Sequence, residues 1–128
     1  MKDTYSDFGV AQTLAPLVQT ATLAGTAVDL QGYNSATLVV NTGAIASAGL
    51  YDIRLQESAT TTNEDFTDVA AADLLGALPA GLAAASTYKQ GYVGNKRYFR
   101  ALITKQSGTS IAAGAVVIRG HANDAPVA

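Results

Sequence analysis

The stretch that most restricts the fold is residues 88–105, which reads as two β-strands joined at Gly94-Asn95. In its second half, Phe99, Ala101 and Ile103 fall on one side by the two-residue period of a strand. Tyr98, Arg100, Leu102 and Thr104 fall on the other. The first side is apolar enough for a core. The second mixes an aromatic, a base and an aliphatic residue, as a surface that meets another protein does. With the adjoining Lys96 and Arg97, the residues Tyr98, Arg100 and Leu102 are candidate interface residues.

The same period recurs along the chain. Tyr51, Ile53 and Leu55 alternate with Asp52, Arg54 and Gln56, the cleanest pattern of a strand with one wet face. Val28 and Leu30 flank Asp29 in the same way, and residues 36–42 form a nearly continuous apolar run suited to a central strand. Phe66 anchors a short strand over residues 65–69. Residues 111–120 supply the last strand, with Val116 and Ile118 on one face and Val117 and Arg119 on the other. Residues 70–85, rich in Ala, Leu and Gly and broken by Pro79, form a loop with at most one helical turn after Asp73. About eight strands result, the pattern of an antiparallel β-sandwich or jelly roll.

Residues 1–16 show no sustained period and end at Pro16. They read as an N-terminal arm anchored through Phe8, Val10 and Leu14, which join the candidate interface residues; a short helix over residues 8–14 is the alternative, weakened by Gly9 and the lack of a clear cap. The sandwich domain then spans residues 17–120, and residues 121–128 trail off as a C-terminal tail. The first residues carry acids and no apolar core of a signal peptide, and no apolar run reaches the length of a membrane helix. The expectation is a soluble product that binds no membrane.

Composition narrows the chemistry. There is no cysteine, so neither a disulfide framework nor a thiolate metal site is available. The net charge of −2 hides an asymmetry. Residues 1–73 hold nine acids against Lys2 and Arg54, whereas residues 74–123 hold six bases and no acid. Such halves pair within one molecule or between copies, or are solvated faces that happen to segregate. The single histidine, His121, has no nucleophile or orienting acid near it in sequence and reads as a surface residue. Glu64, Asp65 and Asp68 lack the spacing of a calcium loop, and the paired carboxylates Glu57 and Asp68 come without the Trp that a sugar site brings. Gly91 and Gly94 lack the strand-to-helix setting of a phosphate loop. Bases interleaved with Tyr88, Tyr92 and Tyr98 superficially suit nucleic acid, but ten acids outnumber eight bases. No enzyme, cofactor, metal or nucleic-acid partner is expected.

Several segments carry a resemblance: residues 28–33, 36–40, 55–58, 66–74, 88–98 and 117–121. Together, over about residues 14–127, the chain resembles the head decoration, or cement, proteins of tailed bacteriophages. The resemblance implies a β-sandwich made in the host cytoplasm that docks on the outside of a capsid and reinforces contacts between major capsid protein subunits. It implies dimers or trimers on the shell, with the two terminal arms lying along capsid subunits. A neck or tail component, or a carbohydrate- or nucleic-acid-binding module, are the alternative expectations.

Overall fold

The protein is described here by a computed structural model covering residues 2–124 of the chain. Two antiparallel sheets pack face to face, and the described residues contain no α-helix. The strands are β1 (Gly9–Gln19), β2 (Leu23–Ala24), β3 (Val28–Asp29), β4 (Tyr33–Ala46), β5 (Leu50–Ser58), β6 (Thr67–Asp68), β7 (Leu74–Leu75), β8 (Thr87–Tyr92), β9 (Tyr98–Ser107) and β10 (Ser110–Ala122). Sheet A runs β1-β10-β4-β8-β7, and sheet B runs β2-β9-β5-β6 with β3 also on β9.

The pairings are nested. β1 pairs β10, β2 and β3 pair β9, β4 pairs β8, and β5 pairs β6, each pair enclosed by the one before. Rolling that long double ribbon adds the contacts β10–β4 and β9–β5. This is the wiring of a jelly roll, so the expected all-β sandwich is present. Ten strands take the place of about eight, because four of them are two-residue pieces at the sheet margins.

The core lies between the sheets. Leu38 and Val40 of β4, with Ile111 and Val117 of β10, face Tyr51, Ile53 and Leu55 of β5 and Phe99, Ala101 and Ile103 of β9. The inward sets of β5 and β9 are those the two-residue period predicts. Small side chains such as Ala101, Ala113 and Ala115 let the sheets approach closely, and Tyr92 fills one end by stacking on Phe99 with ring centroids 5.0 Å apart.

Three sequence expectations are corrected. Residues 9–16 are not an arm outside the sandwich, and the alternative of a helix over residues 8–14 is absent: Gly9–Gln19 is a long strand on the margin of sheet A, and Leu14 is in the core. A bulge hides it, since Thr13 and Leu14 are consecutive and both buried, which breaks the period. Second, β8 and β9 are not a hairpin. Their connection crosses from sheet A to sheet B, and the strands pair with β4 and β5 instead. Third, β10 extends to Ala122, so the expected tail from residue 121 begins inside a strand, and Asn123 N–H is bonded to the Gly32 carbonyl at 2.8 Å. Residues 125–128 of that tail lie outside the described residues.

β1 is held by polar groups that replace missing ladder bonds. The Thr13 hydroxyl donates to the Thr26 carbonyl at 2.8 Å and accepts from the Ala101 amide at 3.1 Å. Gly25 N–H reaches the Ala101 carbonyl at 2.8 Å. A side chain at Gly25 would collide with the Thr13 carbonyl, so only glycine lets β1 pass this close. Further along, the buried Gln19 amide donates to the carbonyls of Ala15 and Ala113, groups left over by the second bulge. Thr13→Val, which keeps shape but removes the hydroxyl, should cost about 1–3 kcal/mol by stranding the buried Ala101 amide. Thr13→Ser should cost less than Thr13→Val; urea unfolding of the two variants checks the order.

Candidate interaction surface

The two outer faces of the sandwich differ in kind. On sheet B, the outward side chains of β5 and β9 are bound to one another. Arg54 pairs with Asp68 at 3.0 Å, and Gln56 also donates to Asp68 at 3.1 Å. Gln56 in turn accepts from Arg100 Nε at 3.0 Å, and Arg100 Nη1 donates to Asn63 at 2.8 Å. Gln106 donates to Asp52 at 2.8 Å.

This network decides the standing of the predicted interface residues. Arg100 is buried, with its guanidinium 4.1 Å from the centre of the Phe66 ring, and burial draws its pKa below the ordinary value. It fastens the loop at residues 63–66 to the sheet and has no face left for a partner. Arg97 is exposed but forms a two-point pair with Asp29, at 3.0 and 2.9 Å, while lying 5.0 Å over the Tyr98 ring. Tyr98 and Leu102 are half-buried on this face, and Lys96 is exposed beside it. Of the N-terminal candidates, Phe8 is half-buried just before β1, Leu14 is sealed in the core, and Val10 is 55% exposed on sheet A. The eight residues therefore do not form one patch.

Sheet A presents the other kind of face. β10 and β4 are apolar on both sides, so their outward residues Val116, Ile118 and Val39 lie at the surface. The pairing lines them up in rows. Val10, Ile118 and Thr37 form one row, continued by Gly91 and Leu75. Gln12, Val116, Val39 and Lys89 form the next. Val18 and Ala112 lie at the far end. Val10, Val18 and Leu75 are each more than half exposed. Among the described residues in these rows, Lys89 is the one charged side chain. Sequence reasoning placed Val39 in a central strand, Val116 and Ile118 on one face of the last strand, Val10 in an arm and Leu75 in a loop, and so did not assemble the face. The signal was present: an antiparallel strand that is apolar on both sides has a second face to cover.

Chemistry has little to work with elsewhere. A cleft of about 470 Å³ lies between the turn at Gln31–Gly32 and the connection Gly94–Arg97. At its floor the Tyr92 hydroxyl donates to Glu57 at 2.6 Å and accepts from the Lys96 amide at 3.1 Å. Burial, and then that bond to Glu57, pushes the Tyr92 pKa far above its ordinary value of 10.0, so the phenol keeps its proton. His121 Nδ1 lies 2.8 Å from Ser35 Oγ at the surface, but Asn34 donates to the His121 carbonyl and to Asn123, and among the described residues no carboxylate bonds to the pair. Among the described residues no three acid or histidine side chains come together as a metal site would require.

No family model matches this chain, and no curated protein matches it. The reading of the surface therefore rests on its own geometry.

Asp29 gives that geometry a pH signature. The hydrogen bonds from Arg97 hold its pKa below the ordinary 3.8, outweighing the smaller opposing effect of burial. A lowered folded-state pKa contributes stability that is present above the unfolded value and lost as pH falls through the folded one. Both partners are largely exposed, so the contribution is screened and small. The melting temperature of the wild type should therefore fall more steeply below about pH 4 than that of Asp29→Asn, with the two curves parallel between pH 5 and 7.

Proposed function

We propose that this protein is a non-enzymatic structural component of a phage virion, which docks on the outside of the capsid and reinforces contacts between major capsid protein subunits. The observation that carries the reading is the outer face of sheet A: five aligned strands presenting Val10, Val39, Val116, Ile118 and Leu75 with a single charge at Lys89. A face of that kind is stabilised by being covered, and the hydrophobic gain comes without desolvating paired charges. The opposite face, where acids and bases already satisfy one another, suits permanent exposure to water. A protein with one wet and one apolar side is oriented when it sits on a larger surface. The resemblance of its strand and turn segments to phage cement proteins supports the same partner.

Size sets the strength of each contact. Strand spacing and rise give the face dimensions of roughly 20 by 20 Å, about half of the ~800 Å² per partner in a standard interface. One copy then binds weakly, and stable decoration comes from copies joined as dimers or trimers over repeating sites on the shell. Purified protein mixed with undecorated capsids should bind to saturation at a fixed stoichiometry and raise the heat resistance of the shells. Val116→Asp or Ile118→Asp, each placing an unpaired charge in the contact, should weaken binding at least ~10-fold, and Val10→Asp, at a more exposed position of the same face, should weaken it without lowering the urea midpoint appreciably. Tyr98→Ala, on the opposite face, should leave binding unchanged. Absence of saturable binding by the wild type overturns the proposal.

A further inference from the structure

One part of the sheet A face is a groove. β1 bulges at Ala15 and Pro16, between Leu14 and Leu17, and Pro16 together with the side chains of Leu17 and Val18, which pair with Ala113 and Ala112 of β10, borders the outer face on one side as a bank. Leu17 and Val18 are 50% and 59% exposed there. Across from them stands Thr87 of β8. β10 and β4 form the floor, where Gly43 and Ala112 leave the backbone nearly bare and Val39 and Val116 close one end. Pro16 rests directly on Gly114, since a Cβ on that glycine would come within 2.9 Å of the proline Cβ. The bank is thus pinned in place, and the groove, of about 620 Å³, is part of the resting fold.

We infer that this groove receives an extended, uncharged segment of the capsid subunit, laid along β10 and β4. The inference rests on the docking reading above and names the element of the partner that enters. Charge is the first argument: none of the described residues lining the groove is ionisable, so an acidic or basic segment loses hydration there with nothing to replace it. Width is the second. A floor of two strands is roughly 10 Å across at the strand spacing, which admits one extended chain with its side chains, whereas a helix of ~10–12 Å diameter rides on the banks. Polar matching is the third. The Asn41 amide and the Thr87 hydroxyl stand together on the β8 side, 3.5 Å apart, in an uncharged lining whose other polar side chains are Gln12 and Thr42. They offer hydrogen bonds to peptide groups, which an extended segment presents and a helix keeps to itself. The bank residues Leu17 and Val18 then cover the apolar side chains of the incoming segment.

The chain has no cysteine, so Ala112→Cys gives a single attachment point for a photo-crosslinker on the groove floor. Irradiation of the labelled protein bound to capsids, followed by mass spectrometry, should join position 112 to an uncharged stretch of the major capsid protein that is extended in the shell. In parallel, Ala112→Glu should weaken capsid binding at least tenfold. Crosslinking to a charged segment, to a helix or to a second copy of this chain overturns the inference. Undiminished binding by Ala112→Glu, alongside weakened binding by Ile118→Asp outside the groove, also overturns it while leaving the docking face intact. If the wild type fails to bind capsids, the broader proposal falls with it, so the two failures are distinguishable.

Discussion

The contact on which the two-sheet arrangement depends is the bond pair at Thr13. The margin of sheet B next to β9 is discontinuous: β2 pairs only at Ile103 and Leu102, and β3 only at Phe99 and Tyr98. Between them Ala101, at the centre of the core and paired with Leu55 of β5 on its other side, is left without a strand partner on this margin. A buried amide and carbonyl without partners would each cost on the order of 1–3 kcal/mol. Thr13 and Gly25 complete both, and Thr13 belongs to β1, a strand of the opposite sheet. β1 thereby ties sheet A to sheet B along one side and hides a strand margin that would otherwise be free to pair with another chain. The bulges follow from this role. To aim Thr13 at Ala101 and Leu14 at the core in succession, β1 has to abandon strict alternation, and Gln19 then satisfies carbonyls that the irregularity exposes.

That irregularity also explains what could be read from the sequence. Strands whose inward and outward sets differ in polarity were legible, and Tyr51, Ile53, Leu55, Phe99, Ala101 and Ile103 are all in the core. β1 was not, because its buried pair Thr13-Leu14 is out of period and Pro16 looks like a terminator when it is a bulge residue resting on Gly114. The partner of each strand was not legible either. Gly94-Asn95 has turn chemistry, and local chemistry is the same whether the chain returns in one sheet or crosses to the other. What decides is the nested pairing of strands far apart in sequence, such as Gly9 with Arg119. The setting of Arg100 was hidden for a related reason. Arg100 looks available until Phe66, Asn63 and Gln56, 34 to 44 residues away in the chain, are placed around it.

The segregation of charge along the chain resolves in the same terms. The basic second part of the sequence supplies Arg97 and Arg100 to β9 and its approach, whereas the acidic first part supplies Asp29 beside them on β3. Arg119, from β10, donates to the Asp29 carbonyl and lies 4.6 Å over the Tyr33 ring. Much of the cation excess is thus spent within the molecule, on sheet B and at the Tyr33 end. Sheet A keeps Lys89 alone in its outward rows. A distribution that looks from the sequence like a device for attracting a charged partner becomes, in the fold, a means of leaving one face nearly uncharged.

An uncharged face has a consequence for binding. Charged interfaces steer encounter over distances set by the Debye length, about 8–10 Å in physiological salt. A face with one lysine has little such steering, so in the proposed docking association would proceed at the rate of random docking and depend weakly on salt. Specificity then has to come from shape. In the proposed docking β1 supplies it, since Pro16 at the bulge and the exposed side chains of Leu17 and Val18 border one side of the groove. The irregularity that completes the backbone bonds of Ala101 inside the sandwich is continuous, within the same strand, with the one that shapes the outer face. In the proposed docking, a sealed core and a recognisable surface therefore depend on one segment, and changes that straighten β1 are expected to damage both together.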